Sequence, residues 1–287
     1  MRINDFIKKS RDGGKFTKDE LLEMLGYPAD SDVTYRMMAE AKRISRELTG
    51  DRAEIHAQFS LNLEPCACNC LFCSFAKANG IFKQKARITQ EEAVASAQQL
   101  EEEGANAVFI MTTAQYPFGK FIEISQEVKN NLKPETTLIA NVGDQSLSNA
   151  IKIKDAGFDG VYHALRLREG IDTAIDPERR RESIRHFQEA GLRVGTCVEP
   201  VGPEHSNEEI AELILYTATL NPAYSGAARR ISIPGTDLAR KGMISELRMS
   251  QIVAVTRLAM PETVLGNCTH EPRSEEHTSE LQSPNTI

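Results

Sequence analysis

Apolar and polar positions change their spacing at regular intervals along the chain. The segment His56–Leu63 alternates apolar and polar residues, as a half-buried strand does. Six further strands are predicted from short apolar runs: Ala107–Met111, Thr137–Val142, Gly160–Leu165, Leu192–Val198, Arg229–Ile233 and Thr263–Asn267. Helical spacing separates these runs and predicts helices over Thr89–Glu103, Phe121–Asn131, Ser146–Ala156, Pro177–Ala190, Asn207–Leu220 and Ser245–Met260. Such alternation predicts right-handed βα units around a parallel sheet.

The predicted fold class is therefore α/β, with a (βα) barrel of the TIM type. A complete barrel of this type has eight strands. Because the pattern predicts seven, we expect an incomplete barrel whose eighth strand is lost by C-terminal truncation near Pro272. The polar segment 273–287 begins Arg273-Ser-Glu-Glu-His and resembles the translation of a sequencing adapter. We expect a non-native or disordered tail there.

Helices are predicted ahead of the first strand. Thr17-Lys-Asp-Glu20 is a capping box, and Val33–Leu48 carries apolar residues at helical intervals. We therefore expect three parts, which are an N-terminal helical extension over 1–52, a partial barrel over 53–272 and the tail over 273–287.

Composition narrows the possible partners. The 287 residues carry a net charge of −7, and 40% of them are hydrophobic. The negative charge argues against binding nucleic acid through a general basic surface, and no apolar run is long enough to span a bilayer, so no membrane role is expected. With no targeting segment recognised at either end, we expect the protein in the cytoplasm.

Four of the six cysteines lie in Glu64-Pro-Cys-Ala-Cys-Asn-Cys-Leu-Phe-Cys-Ser-Phe75. Cys66, Cys70 and Cys73 have the spacing C-x3-C-x2-C, which allows one loop to hold three irons of a cubane and leaves the fourth iron without a protein ligand. Soft thiolates also select zinc, but the usual pair of separated cysteine knuckles is missing. A disulfide is less favoured in a reducing compartment.

Phe72 immediately precedes Cys73, and this feature together with the cysteine spacing resembles the radical S-adenosylmethionine (SAM) superfamily. The resemblance implies that Cys66, Cys70 and Cys73 hold a [4Fe–4S] cluster and that SAM binds its open iron. Cys68 is expected not to be a ligand, because a fourth thiolate would close the site.

The resemblance also implies an enzyme. In this family the reduced cluster cleaves SAM to methionine and a 5′-deoxyadenosyl radical, which takes a hydrogen atom from a small-molecule substrate. The implied setting is cofactor or vitamin biosynthesis or metallocofactor maturation. The implied electron donor is a protein of the flavodoxin or ferredoxin type.

Contacts to SAM are implied in the loops that follow the strands. Thr112 and Thr113 occupy the place of the motif that holds the amino group of SAM, although a turn-forming threonine pair is an equal alternative. In Glu199-Pro-Val-Gly-Pro-Glu204, Pro200 and Val201 lie in the motif of the adenine side.

Arg166, Arg168 and Glu169 lie where relatives contact the ribose and the carboxylate of SAM. The sequence Arg-Leu-Arg is expected to place both guanidinium groups on one side of a strand, where burial without an anion is costly. Arg180 matches a carboxylate-binding arginine of the biotin-synthase-like group.

The chain departs from biotin synthase at the ligands of that enzyme's second, sacrificial cluster. In this chain, those ligands align with Ile110, Ile139, Gly195 and His270. We therefore do not expect a typical biotin synthase. Cys197, Cys268 and His270 are candidates for a different catalytic site, although Cys197 could equally be a small buried apolar side chain.

Within the biotin-synthase-like group, His163–Thr173 and Gly195–His205 most resemble the radical SAM proteins of iron–guanylylpyridinol hydrogenase cofactor biosynthesis. Those proteins carry C-x5-C-x2-C, which would require a cysteine at Glu64. Methylornithine synthase and the diiron-hydrogenase maturase are other members of the group.

A second class of function is a non-catalytic iron–sulfur or zinc-binding protein for metal storage or delivery. The two hypotheses differ because only an enzyme converts SAM to 5′-deoxyadenosine under reductant. His56, His186 and His205 are expected to be structural or exposed.

Overall fold

The computed structural model describes residues 2–83 and 85–265. Its helices are α1 (Arg2–Arg11), α2 (Lys18–Gly26), α3 (Asp32–Thr49), α4 (Gln90–Glu102), α5 (Phe118–Asn131), α6 (Leu147–Asp155), α7 (Pro177–Glu189), α8 (Asn207–Thr219) and α9 (Glu246–Ala259). Its strands are β1 (His56–Ser60), β2 (Asn62–Leu63), β3 (Ala86–Arg87), β4 (Ala107–Met111), β5 (Thr137–Asn141), β6 (Gly160–Tyr162), β7 (Arg193–Gly195), β8 (Val198–Val201), β9 (Tyr224–Ser225), β10 (Ala227–Arg229) and β11 (Val264–Leu265).

Seven strands form one sheet in the order β1-β4-β5-β6-β7-β9-β11, and every neighbouring pair is parallel. Helices connect most of these strands, which confirms the predicted partial barrel of the TIM type. Within the described residues, β1 and β11 each have one neighbour in this sheet, so the sheet does not close there. Two short pairs, parallel β8–β10 and antiparallel β2–β3, lie beside it.

The two faces of the strands bury different side chains. Val108 and Ile110 of β4 belong to the main core with the surrounding helices. Phe109 and Ile139 form a second cluster on the other face, which is the interior of the curved sheet, and Tyr224 packs against it. The period-two alternation of strands produces this division.

The sixth strand lies earlier than the sequence predicted. Arg229–Ile233 was expected to be the strand, but the chain pairs at Tyr224–Ser225 and Ala227–Arg229 instead. Small residues such as Ala227 give a weak apolar signal, so the stronger run further along the chain placed this strand wrongly. The other strands of the seven-stranded sheet overlap their predicted positions, whereas the short strand β3 was not predicted.

The N-terminal helices pack against the last described helix. Ser10 of α1 donates a hydrogen bond to the carbonyl of Leu258 at 2.7 Å, and the side-chain amide of Gln251 in α9 donates to the carbonyl of Met24 at 3.0 Å. The capping box at Thr17 forms as predicted. The domain boundaries at residues 52 and 272 stay predictions.

None of the helices in residues 2–83 and 85–265 combines the length and the apolar character needed to cross a membrane. The predictions for Cys268, His270 and the tail 273–287 fall outside the described residues.

Candidate active site

The cysteine loop is closed on itself by backbone hydrogen bonds. The amide of Cys66 donates to the carbonyl of Phe75 at 2.6 Å, and the amide of Lys77 donates back to the carbonyl of Cys66 at 2.9 Å. Within the loop the amide of Cys73 donates to the carbonyl of Cys70 at 3.0 Å. These bonds form without any ligand, so the sequence itself shapes the loop that presents the thiols.

Neighbouring loops hold the cysteine loop in place. The amide of Ala174 donates to the carbonyl of Cys68 at 2.7 Å, and the amide of Leu71 donates to the carbonyl of Asp172 at 2.9 Å. On the other side, the amide of Leu238 donates to the carbonyl of Leu71 at 3.1 Å. These partners come from loops that follow β6 and β10, so the thiols lie at the carboxyl edge of the sheet, where barrels of this type carry their chemistry.

The four thiols of the loop are reduced and partly buried. Among the described residues, the cysteines provide no set of three sulfur atoms within 4.8 Å of one another. Thiolates around a single zinc ion, each about 2.3 Å from the metal, would lie about 3.8 Å apart. A single zinc ion would therefore require three of the thiols to move closer together, whereas a cluster binds each cysteine through its own iron.

The pKa values of the thiols in the loop are shifted in different directions. The pKa of Cys66 falls to about 5, chiefly because the thiol of Cys68 hydrogen bonds to it. Burial raises the pKa of Cys70 to about 12 and also raises the pKa of Cys73, against the opposing field of Arg166. A thiol must ionise to bind iron, so these raised pKa values oppose loading at low pH, and a bound iron then keeps the thiolate ionised.

Two arginines lie close to this loop. Arg166, whose side chain is 24% exposed, has Nε 3.4 Å from Oε1 of Glu199. Arg180 is buried, and its Nη1 donates to the carbonyl of Ala164 at 3.2 Å. Burial lowers the pKa of Arg180, and the neighbouring Arg166 lowers it further. Two guanidinium groups that disfavour each other form a site that favours an anion.

Arg168 lies elsewhere, and its expected geometry was wrong. β6 ends at Tyr162, and Arg168 adopts a left-handed backbone conformation with φ of 55°. Its Nε donates to Oε1 of Glu209 at 2.6 Å, and its Nη2 donates to the carbonyl of Glu204 at 2.6 Å. The strand is too short to include Arg166 and Arg168, so the two guanidinium groups do not share a strand face.

Glu169 is buried near Arg166. Its Oε2 accepts a hydrogen bond from the amide of Arg166 at 3.1 Å, and its Oε1 accepts one from the hydroxyl of Thr173 at 2.6 Å. Nη1 of Arg166 is 4.0 Å from Oε2 of Glu169. These contacts give Glu169 a part in shaping the loop, and its predicted contact with SAM stays a prediction.

The threonine pair bonds to its own neighbours. The hydroxyl of Thr113 accepts a hydrogen bond from the side-chain amide of Asn62 at 2.7 Å, and the amide of Thr113 donates to Oδ1 of Asn62 at 3.0 Å. The amide of Thr112 donates to the carbonyl of Asn141 at 3.1 Å. These bonds join the start of the cysteine loop to the ends of β4 and β5. The contact of Thr112 and Thr113 with SAM stays a prediction.

Four other predicted positions differ in how far their side chains are buried. Phe72 is partly buried on the cysteine loop, and Pro200 is partly buried in β8. Val201 is fully buried within the main core. Cys197 is fully buried between β7 and β8, and its predicted catalytic role stays untested because Cys268 and His270 lie outside the described residues.

Sequence reasoning missed Asp144. Its Oδ1 lies 2.7 Å from Nε of Arg180 and 3.0 Å from Nε2 of His163. Burial and the field of Arg180 lower the pKa of His163 to about 4, which keeps the ring neutral near pH 7. Asp144 follows the third predicted strand, Thr137–Val142. A carboxylate directly after a barrel strand is a usable signal for a site residue.

The arrangement at Gly195 differs from that of a cysteine-bearing strand. A Cβ atom there would lie 2.0 Å from the ring of Tyr224. Ile110 packs outward into the main core, whereas Ile139 faces the interior. The aligned positions Ile110 and Ile139 therefore carry apolar side chains, and the ring of Tyr224 fills the space that a side chain at Gly195 would need.

The sequence of this chain is similar to that of known proteins. A family model described as the radical SAM superfamily matches residues 65–216. That segment contains the cysteine loop, Asp144, Arg166 and Arg180. Biotin synthase of Sulfurihydrogenibium sp. (strain YO3AOP1) is 23% identical over 282 residues, covering 93% of this chain and 81% of that protein. Biotin synthase of Nitrosopumilus maritimus (strain SCM1) is 24% identical over 282 residues, covering 92% and 84%.

Solved structures share the fold at low identity. Methylornithine synthase aligns with a TM-score of 0.80 and 18% identity, covering 91% of this chain and 78% of its own. The FeFe-hydrogenase maturase of Carboxydothermus hydrogenoformans aligns with a TM-score of 0.81 and 19% identity, covering 98% and 68%. Both alignments extend well beyond the matched segment and include most of the chain.

Proposed function

The chain belongs to the radical SAM superfamily, and from this premise we propose that Cys66, Cys70 and Cys73 hold the [4Fe–4S] cluster while Arg166 and Arg180 receive the carboxylate of SAM. It is a radical SAM enzyme, and the cofactors of this family are a [4Fe–4S] cluster and SAM. When bound, they supply the reductive cleavage that yields methionine and a 5′-deoxyadenosyl radical.

One observation carries the assignment of residues. The cysteine loop lies beside two arginines whose positive charges disfavour each other. A bound carboxylate would lower that repulsion further than Asp144 and Glu199 already do, because an anion offsets the desolvation of a buried guanidinium. Glu199 orients Arg166 at 3.4 Å, and Asp144 orients Arg180 at 2.7 Å.

The remaining residues of the site act by positioning. The bonds between Asn62 and Thr113 fix the loop at its entry, and Ala174 fixes it at Cys68. On the interior face, Phe109, Tyr162 and Tyr224 form an aromatic floor, with Tyr162 and Tyr224 stacked at 6.3 Å between ring centroids. Such a floor excludes water from below a substrate and helps to protect a reactive radical.

The proposed reaction is abstraction of a hydrogen atom from a small-molecule substrate in cofactor or vitamin biosynthesis or in metallocofactor maturation. The buried surroundings of Gly195 and Ile139 argue against the sulfur insertion of a typical biotin synthase. A flavodoxin or ferredoxin-type protein is the proposed electron donor, and the cytoplasm is the proposed compartment.

The test is anaerobic reconstitution with iron and sulfide, followed by incubation with SAM and dithionite. We expect formation of 5′-deoxyadenosine by the wild-type protein and no formation by Cys70→Ala. A metal storage or delivery protein would load iron but release no 5′-deoxyadenosine. That result would exclude the proposed function.

A further inference from the structure

Asp172, Glu204 and His205 come together on two neighbouring loops beside the cysteine loop. One ligand atom from each residue lies within 4.8 Å of the other two. We propose that these three side chains form a binding site for a divalent metal ion, separate from the cysteines. Two carboxylates with one imidazole favour Mn²⁺, Fe²⁺ or Zn²⁺ over a softer metal that selects thiolates.

Buried polar atoms of this group lack the partners that folded proteins normally supply. The Glu204 side chain is 7% exposed, and its Oε1 has no hydrogen-bond partner among the described residues. Nε2 of His205 also lacks a partner in this part of the chain. Buried polar atoms are nearly always satisfied. A metal ion would bind Oε1 of Glu204 directly, and it would bind Nε2 of His205 once the ring hydrogen has moved to Nδ1.

Asp172 provides the third ligand and, with Glu204, the second carboxylate of the group. The residue is 8% exposed, and burial raises the pKa of its carboxyl group, with Arg168 and His205 opposing the rise. No hydrogen bond reaches this carboxylate from residues 2–83 and 85–265. A cation can offset the desolvation of such a group.

The nearby arginines are already paired. Oε2 of Glu204 accepts a hydrogen bond from Nη2 of Arg230 at 2.8 Å, which leaves Oε1 available. Arg168 donates to Glu209 at 2.6 Å. Among the described residues, the carboxylate of Asp172 has no arginine hydrogen-bonded to it, so a cation there would not have to displace one.

His205 must change one bond to become a ligand. Its Nδ1 accepts a hydrogen bond from the amide of Gly202 at 2.9 Å, which places the ring hydrogen on Nε2 when the ring is neutral. Metal binding through Nε2 moves that hydrogen to Nδ1 and breaks the bond to Gly202. Without a metal, the hydrogen stays on Nε2, where no acceptor among the described residues receives it. A metal-bound ring and a neutral ring bonded to Gly202 are therefore distinguishable.

The location gives the site a role in ordering the active site. The carbonyl of Asp172 accepts the amide hydrogen of Leu71 on the cysteine loop at 2.9 Å. Nη1 of Arg230 donates to the carbonyl of Leu238 at 2.7 Å, and Leu238 in turn bonds to Leu71. A metal at this site would link the loops that follow β6 and β8 next to the cysteines.

The experiment uses the cluster-loaded protein, treated with EDTA and desalted, and titrated with Mn²⁺ under anaerobic conditions. Electron paramagnetic resonance (EPR) of free Mn²⁺ measures binding. We expect one Mn²⁺ per chain in the wild type, and a dissociation constant at least about tenfold higher in Asp172→Asn. The matched control is Asp176→Asn, which changes an exposed N-cap and is expected to bind like the wild type. Mn²⁺ should raise the Tm of the wild type and the control but not that of Asp172→Asn.

A second measurement keeps the proposal testable even where a variant fails to fold. Electron spin echo modulation of wild-type bound Mn²⁺ should show coupling to one imidazole nitrogen, and His205→Gln should remove it. No stoichiometric Mn²⁺ in the wild type, no nitrogen coupling, or unchanged binding by Asp172→Asn would each overturn the proposal. Cluster absorbance, followed in the same samples, reports separately on the cysteine site.

Discussion

Nε of Arg180 lies 2.7 Å from Oδ1 of Asp144, although the two residues come from different βα units. The same oxygen lies 3.0 Å from Nε2 of His163. Asp144 thus holds both a buried arginine and a buried histidine. Because Arg180 is proposed to receive the carboxylate of SAM, this contact joins the stability of the fold to cofactor affinity.

Asp144→Asn should lower both the stability of the fold and the affinity for SAM. The substitution keeps the size of the side chain and removes the charge that orients Arg180. We expect the affinity of the cluster-loaded protein for SAM to fall about tenfold or more, and the free energy of unfolding to fall by about 3 kcal/mol. Calorimetric titration with SAM and urea denaturation measure the two effects. The control Asp155→Asn changes an exposed carboxylate in α6 and should alter neither quantity. SAM affinity unchanged in Asp144→Asn would contradict the proposed role of Arg180.

The three arginines provide a more direct test. Arg166→Leu and Arg180→Leu should each lower SAM affinity at least about tenfold, since each removes a charged hydrogen bond that we propose to the carboxylate of SAM. Arg168→Leu is the matched control, because its guanidinium is paired with Glu209 at 2.6 Å. We expect this control to lose stability without losing SAM affinity. Equal losses of affinity in all three variants would contradict the proposal that Arg166 and Arg180, but not Arg168, bind the carboxylate of SAM.

Part of this arrangement was visible in the sequence. The cysteine spacing, the strands around Ala107–Met111 and Thr137–Val142, and the closeness of Arg180 to the site follow from local pattern and resemblance. The pairing of Asp144 with Arg180 does not, because it depends on how two βα units pack. The positions of Arg166 and Arg168 were mispredicted for a local reason. β6 has three residues and ends before either arginine, and Arg168 lies in a turn over residues 167–170.

The cysteine assignment leads to a prediction about the cluster. Cys66→Ala, Cys70→Ala and Cys73→Ala should each lose the EPR signal of the reduced cluster, because each removes the thiolate of one iron. Cys68→Ala is the control within the same loop and should retain the signal, since the proposed cluster uses only the other three thiolates. Iron and sulfide analysis after anaerobic reconstitution checks the loading. Loss of the signal in Cys68→Ala with retention in Cys70→Ala would reverse the assignment.

His163 should make stability depend on pH in a defined window. Burial and Arg180 lower its pKa from 6.5 to about 4 in the folded chain. Between pH 6.5 and 4 the unfolded chain therefore binds more protons at this residue. Its contribution to the free energy of unfolding is complete above pH 6.5 and decreases as the pH falls, by up to about 3 kcal/mol.

His163→Gln should remove this part of the pH dependence. Urea denaturation at pH 7, 6 and 5 compares the slopes in a range where most carboxylates stay ionised. His56→Gln changes a more exposed histidine, whose side chain is 33% exposed, and should keep the wild-type slope. Parallel curves for the wild type and His163→Gln would show that the buried ring does not supply the effect.

Gly195 lies against the aromatic floor that Phe109, Tyr162 and Tyr224 form. A Cβ atom at this position would lie 2.0 Å from Cζ and 2.4 Å from the hydroxyl oxygen of Tyr224. The ring of Tyr224 stacks on Tyr162 at 6.3 Å and meets Phe109 edge-on at 6.3 Å, so neighbouring rings restrict its movement. Gly195→Ala should therefore lower the free energy of unfolding by about 1–3 kcal/mol, as overpacking of a core does.

A second substitution distinguishes this clash from a backbone effect. Tyr224→Ala costs stability by itself, but in that background Gly195→Ala should cost much less than it does in the wild type, because the clashing ring is gone. Gly119→Ala is the matched control, because it lies in α5 with no atom within 4 Å of its added Cβ, and it should be neutral or stabilising. Urea denaturation of the wild type, the two single variants and the double variant measures the coupling free energy between residues 195 and 224. An equal cost of Gly195→Ala in both backgrounds would show that Tyr224 does not fill the space above Gly195.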